Sequence, residues 1–345
     1  MGGRPSRGEG VFASDRAIWF FAAMYFSCYV PFTGMTKALS KGIWYGQDAP
    51  VSGVALLPVS TMASVVVMLI FLGATGWWRS AHLTEVGRWR LPIPTVWTAL
   101  SGVCTSLILT TTTLAYTFDG VSIVFVMLLM RGGVLIIAPV VDALSGRQTH
   151  WYSWVALGLS MSALLVAFSK SSSYDMTLLC TVDIAVYLAA YFVRFRFMSR
   201  LAKSDDPEVN KRYFVEEQLI VAPFTLLVLG ALALWGQGTF MESLRVGFTD
   251  HIGSSLVFET ALIGTFSQLV GIFGTLIFLD RRENAFAVPV NRCASILAGV
   301  CAAFALHGLF GTALPGPHQL VGVGLVFAAI VVLSTAKERG PGKGS

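Results

Sequence analysis

The chain has 345 residues, and Lys, Arg, Asp and Glu together make only 12% of it, about half the share of an average soluble protein. With 55% hydrophobic residues and a mean hydropathy of +0.70, its apolar surface exceeds what one globular core can hide, so a lipid bilayer is the expected solvent. The formal charge of +5 would suit nucleic acid only if the cations formed one basic face. They sit instead in short loops between apolar runs, which excludes nucleic acid as a partner.

A helix that crosses about 30 Å of hydrocarbon needs roughly 20 apolar residues. Ten such runs are predicted near 17–38, 52–75, 94–117, 120–143, 151–169, 177–198, 213–235, 256–279, 284–307 and 318–335. They are apolar on nearly every face, whereas barrel strands would alternate, so helices are expected throughout. The first run follows a polar, Gly-rich start with no convincing cleavage site and reads as a retained span. Within it Trp19, Tyr25, Tyr29 and Pro31 supply an aromatic side and a kink, or else interfacial anchors. The third run ends in Thr110 to Thr113 and Tyr116; these hydroxyls, Thr112 among them, either bond carbonyls of their own helix or form the polar wall of a cavity. Arg131 lies eleven residues into the fourth run. Asp183 lies a third of the way into the sixth, with Tyr187 and Tyr191 one and two turns further on the same face. Glu216 and Glu217 open the seventh and are expected to be solvated or paired with Lys211 and Arg212. Ser267, Gln268 and Gly271 interrupt the eighth, and Arg292 lies eight residues into the ninth. Asp119 and Glu259 fall near span ends and read as interfacial.

Short loops rich in Lys and Arg stay in the cytoplasm. With the N-terminus inside, eighteen of the 24 Lys and Arg residues fall in inner segments, Arg194 counted among them. Only Lys37, Lys41, Lys170 and Arg245 fall outside, and Arg131 and Arg292 lie inside spans. Both termini are therefore expected in the cytoplasm, in the cytoplasmic membrane or, in a eukaryote, an organelle membrane. The longest inner loop, about 199–213, divides the chain into a first five-helix repeat at 1–199 and a second at 200–345. Five is odd, so the halves enter the membrane in opposite senses, as in many secondary transporters. The expected fold class is an all-α membrane protein of ten transmembrane helices arranged as two inverted five-helix repeats.

The fourth and fifth spans read GVSIVFVMLLMRGGVLIIAPVVDALSGRQTHWYSWVALGLSMSALLVAFS, and the last two read NAFAVPVNRCASILAGVCAAFALHG and PGPHQLVGVGLVFAAIVVLS. Over the whole ten-span plan this resembles the drug/metabolite transporter superfamily, whose EamA-type halves end in a cavity-lining helix, a short turn and a Gly/Leu/Ala-rich last helix. Members often carry a Pro early in the cavity helix and a Gly-Glu after it. Here Pro139 is late, Pro289 is early, and the turns read Ser145-Gly146-Arg147 and Leu306-His307-Gly308. The resemblance implies that fold and a transport activity, with Arg131 and Arg292 on the two cavity-lining helices.

A charge at mid-bilayer is costly and is a functional candidate by default. Two guanidiniums in equivalent places could flank one central site and hold a carboxylate or phosphate; the structural alternative pairs each with an acid or with helix carbonyls. Asp183 could pair an arginine, carry a proton or meet a cationic group. Arg131, Arg292, Asp183, Tyr187, Tyr25, Thr112 and Gln268 are thus the candidate substrate-binding residues. The five histidines are scattered without metal-ligand spacing, the five cysteines lie in apolar runs, and no phosphate-binding loop is present, so neither metal, cofactor nor enzyme activity is expected. The expected function is secondary transport of a small organic metabolite carrying an anionic group. Proton or counter-substrate coupling, contact with membrane lipids and a homodimer are compatible with it. A translocase for a lipid or lipid-linked headgroup and a membrane scaffold without transport are the competing classes.

Overall fold

A computed structural model describes residues 17–86, 89–118, 121, 123–144, 151–168, 177–202, 206–279 and 284–336. Asp119, the turn at Ser145 to Arg147, and Arg4, Arg7, Arg16, Arg88, Lys170, Lys203, Arg281, Arg282, Lys337, Arg339 and Lys343 lie outside the described residues, as do the side chains of Arg90, Pro139 and Pro289.

Among the described residues, each of the ten apolar runs overlaps one long helix. These are α1 (Ala17–Lys41), α2 (Gly53–Thr75), α3 (Val96–Ala115), α4 (Ile123–Leu144), α5 (Trp151–Phe168), α6 (Leu178–Leu201), α7 (Pro207–Trp235), α9 (Val257–Phe278), α10 (Asn284–Phe310) and α11 (Pro317–Ala336). An eleventh, shorter helix, α8 (Gly238–Phe248), occupies the loop between α7 and α9. A two-stranded hairpin joins α2 to α3, pairing β1 (Leu83–Val86) antiparallel to β2 (Trp89–Pro92). Neither α8 nor the hairpin follows from a count of apolar runs, since both are too short to cross a bilayer. The expected turn at Leu306 to Gly308 is also corrected. Helix α10 runs on to Phe310, and Gly311 at φ +64° ends it.

Seven helices among the described residues are long and apolar enough to cross a membrane, and Leu69, Ile70, Leu227, Leu234, Phe258 and Val321 turn large apolar side chains outward. Outward apolar faces of this kind require lipid. The chain is an all-α integral membrane protein.

Local chemistry sets the helix ends. Thr95 and Thr177 cap α3 and α6, their hydroxyls accepting from the N–H of Thr98 at 3.3 Å and Cys180 at 3.2 Å. Asp206 caps α7 ahead of Pro207, whose missing N–H is harmless in the first turn. Gly76 and Gly236 end α2 and α7 in the left-handed conformation. Arg245 on α8 reaches back to the last carbonyls of α7, donating from Nε to Ala233 O at 3.2 Å. Helix α1 packs on α9 and α10, α3 on α6 and α7, and α4 on α5, α6 and α10; α2 meets α7, α8 and α9, and α11 meets α5 and α10. The main core lies between α1, α4, α6, α9 and α10, where the buried charges gather.

Candidate functional site

Arg131 and Arg292 are 2% and 0% exposed, so neither snorkels to water. Arg131 lies mid-way along α4 and points at α1 and α6. Its Nη1 donates to the Tyr187 hydroxyl and its Nη2 to the Tyr29 hydroxyl, with its guanidinium carbon 5.3 Å from the Tyr187 ring centroid and 5.4 Å from that of Tyr29. The Tyr29 hydroxyl also bonds Tyr116 at 2.7 Å. Arg292 on α10 reaches the same Tyr187 oxygen from the other side, donating from Nη1 at 3.3 Å. Its guanidinium lies 4.6 Å from the Tyr191 ring and 5.5 Å from that of Phe278. Phenol faces and oxygens therefore stand where water would otherwise solvate the two cations.

A cavity of about 40 Å³ sits beside this cluster, lined by Tyr25, Tyr29, Thr112, Arg131, Tyr191, Arg194, Gly271 and Asn291 among others. That is room for a few waters. A third buried arginine bounds the cavity. Arg194 on α6 holds Glu217 on α7 along one edge, donating from Nε at 2.9 Å and from Nη2 at 2.8 Å, and Nη2 also meets Thr275 Oγ1 on α9 at 3.0 Å. Ser101 and Thr105 on α3 donate to the same Glu217 oxygen at 2.8 Å and 3.0 Å. The adjacent Glu216 accepts from His82 N at 3.2 Å and from Thr98 Oγ1 at 2.8 Å, tying the hairpin end and the start of α3 to α7.

The structure thus brings Arg131, Arg292, Tyr187, Tyr25 and Thr112 to one place. Thr112 lines the cavity while its hydroxyl bonds Ile108 O at 2.6 Å within its own helix. Gln268 stands apart, donating to Gln218 Oε1 at 3.2 Å beside a second small chamber lined by Ser60, Ser64 and Ser267. Asp183 is buried one turn from Tyr187, and its Oδ2 has no hydrogen-bond partner. No ion pair joins it to either arginine among the described residues. The expectation that Glu216 and Glu217 are solvated or paired with Lys211 and Arg212 is overturned: both are buried, and Lys211 pairs with Glu208 at 2.7 Å. Arg194 is likewise a buried residue rather than a loop cation. Lys37, counted as external, is buried at the end of α1 with its Nζ donating to Phe118 O at 2.7 Å.

Arg194, Glu217 and Asn291 are absent from the candidates read from sequence. A signal for the tyrosines is present there: Tyr25 and Tyr29 recur as Tyr187 and Tyr191, both pairs 162 residues apart (187 − 25 and 191 − 29). Gly102 and Gly264 share that spacing (264 − 102), and Arg131 and Arg292 differ from it by one (292 − 131 = 161).

No known family model matches this chain, and no curated protein matches it in sequence. A solved structure titled only as the crystal structure of a protein superposes on 94% of this chain and 99% of its own length, with a TM-score of 0.50 and 12% identity. At that identity the likeness concerns the fold.

Proposed function

We propose that the protein is a secondary transporter of a small organic metabolite with an anionic group, of the drug/metabolite transporter type, working by alternating access around the arginine and tyrosine cluster. The observation that carries this reading is the cluster itself. Two buried guanidiniums without a carboxylate partner among the described residues, Arg131 on the wall of the central cavity and Arg292 on the same Tyr187 oxygen, stand inside an apolar helical body, where a structural role alone would call for a paired acid. Ten spans in two inverted halves, with both termini cytoplasmic, complete the proposal.

The packing supports the repeat. Exchanging α1 with α6, α2 with α7, α3 with α9, α4 with α10 and α5 with α11 carries the principal packings onto one another or onto themselves: α1 on α9 becomes α6 on α3, α1 on α10 becomes α6 on α4, α2 on α9 becomes α7 on α3, and α5 on α11 is unchanged. Helix α8 touches α2 and α7, its neighbours on either side of the exchange. The glycines follow the same rule. A Cβ on Gly264 of α9 would lie 2.0 Å from Ser60 O of α2, and one on Gly102 of α3 would lie 2.9 Å from Glu217 O of α7. Halves related in this way can rock about a fixed central site.

Purified protein in liposomes should carry a radiolabelled anionic metabolite, from a panel of carboxylates and phosphate esters, with saturable initial rates. Flux that rises linearly with concentration, or none across the panel, would contradict the reading. Preference for a substrate with a long acyl tail would favour a lipid-headgroup translocase.

A further inference from the structure

The three buried arginines use their edges differently. A guanidinium meets two oxygens best along the edge formed by Nε and one terminal nitrogen, which gives two parallel N–H bonds. Arg194 spends that edge, Nε and Nη2, on Glu217. On Arg292 the same two atoms, Nε and Nη2, have no partner among the described residues. Arg131 has both terminal nitrogens on Tyr29 and Tyr187, leaving Nε alone unpartnered. The residue before Arg292 is Asn291, which is 1% exposed, lines the central cavity, and has both amide atoms unpartnered.

These orphans are costly. A buried donor without an acceptor carries its full desolvation penalty, and two guanidiniums against the one Tyr187 oxygen repel in a medium of low dielectric. A carboxylate or phosphate face would relieve both, filling the open edge of Arg292 and neutralising the excess charge. The matched halves sharpen the contrast, because Arg131 and Arg292 occupy equivalent helices yet only Arg292 has its Nε and Nη2 edge unpartnered, next in sequence to Asn291 on the cavity wall.

We infer that Arg292 and Asn291 form the receptor for a two-oxygen face of the solute, carboxylate or phosphate, and that Arg131 is a positioning residue that holds Tyr29 and Tyr187 around it. This rests on the transport reading for its ligand, and it divides between the two arginines a role that sequence assigns to both.

The test uses the purified full-length protein in detergent, titrated calorimetrically with inorganic phosphate and with succinate, against chloride at matched ionic strength. At least one oxyanion should bind saturably and chloride should not, and which one binds identifies the headgroup. Arg292→Lys keeps the charge but loses the fork, and should weaken that binding roughly 10- to 150-fold. Arg131→Lys should lower the melting temperature while changing affinity less than about threefold. Asn291→Ala, which removes no charge, should weaken binding about fivefold and serves where Arg292→Lys does not fold. Absence of binding by both oxyanions, unchanged affinity in Arg292→Lys or Asn291→Ala, or an equal loss in Arg131→Lys would overturn the assignment. Flux of the same labelled oxyanions in liposomes separates it from the transport reading: Arg292-dependent binding without flux removes transport alone, and saturable flux unaltered in Arg292→Lys removes the receptor alone.

Discussion

The Arg194 to Glu217 pair shows how single residues fix this protein. Glu217 is 0% exposed and accepts from Arg194, Ser101, Thr105 and, at 3.3 Å, the Tyr213 hydroxyl, so its charge is satisfied by side chains from α3, α6 and α7. Glu217→Gln should leave Arg194 buried and unpaired, costing about 3–5 kcal/mol. A drop in thermal midpoint in detergent checks this, and the double variant Arg194→Met with Glu217→Leu should recover part of the loss, because it removes both charges together. Sequence made Arg131 and Arg292 legible because each stands isolated in an apolar run. It hid Arg194, which stands two residues before Arg196 and six before Arg200 and so reads as part of a loop cluster. The distinction lies in helix phase: Arg194 follows Tyr187 by seven residues and Tyr191 by three and shares their face. Arg196 turns away, donating to Leu144 O at 3.0 Å.

At the scale of the element, close helix approach is built on glycine. Gly264→Ala would drive its Cβ into the Ser60 backbone at 2.0 Å, where nothing flexible can yield, and should destabilise by about 1–3 kcal/mol. Gly230→Ala on α7 meets nothing within 4 Å and should be neutral or slightly stabilising, because alanine is the better helix former. Thermal unfolding of the two variants side by side distinguishes packing from propensity, and equal effects would argue against a tight α2 to α9 contact. The long helices were legible because twenty apolar residues have few other solutions in lipid. Helix α8 was legible only by period: Phe240, Leu244 and Phe248 recur every four residues, and they pack near Leu57, Leu229 and Ala233. The hairpin was not legible, since strands of four residues carry too little alternation to stand out.

Over the whole molecule, two groups of side chains stand along the helices on either side of the Tyr187 cluster. Tyr187 lies seven residues, or about 10 Å, from Arg194 along α6, so the Arg194 to Glu217 pair stands on the side where α6 ends. The Tyr29, Tyr116 and Phe32 rings, with centroids 5.6 to 6.5 Å apart, pack on the other. The proposed alternating access requires these two groups to part in turn. The direct measurement places a single cysteine at Thr112, on the cavity wall, in a chain whose five native cysteines are replaced, and treats sealed vesicles of either orientation with a membrane-impermeant thiol reagent. The account predicts labelling from both sides, slowed from each by the transported anion. Labelling confined to one side, or unaffected by every anion that binds the purified protein, would contradict it.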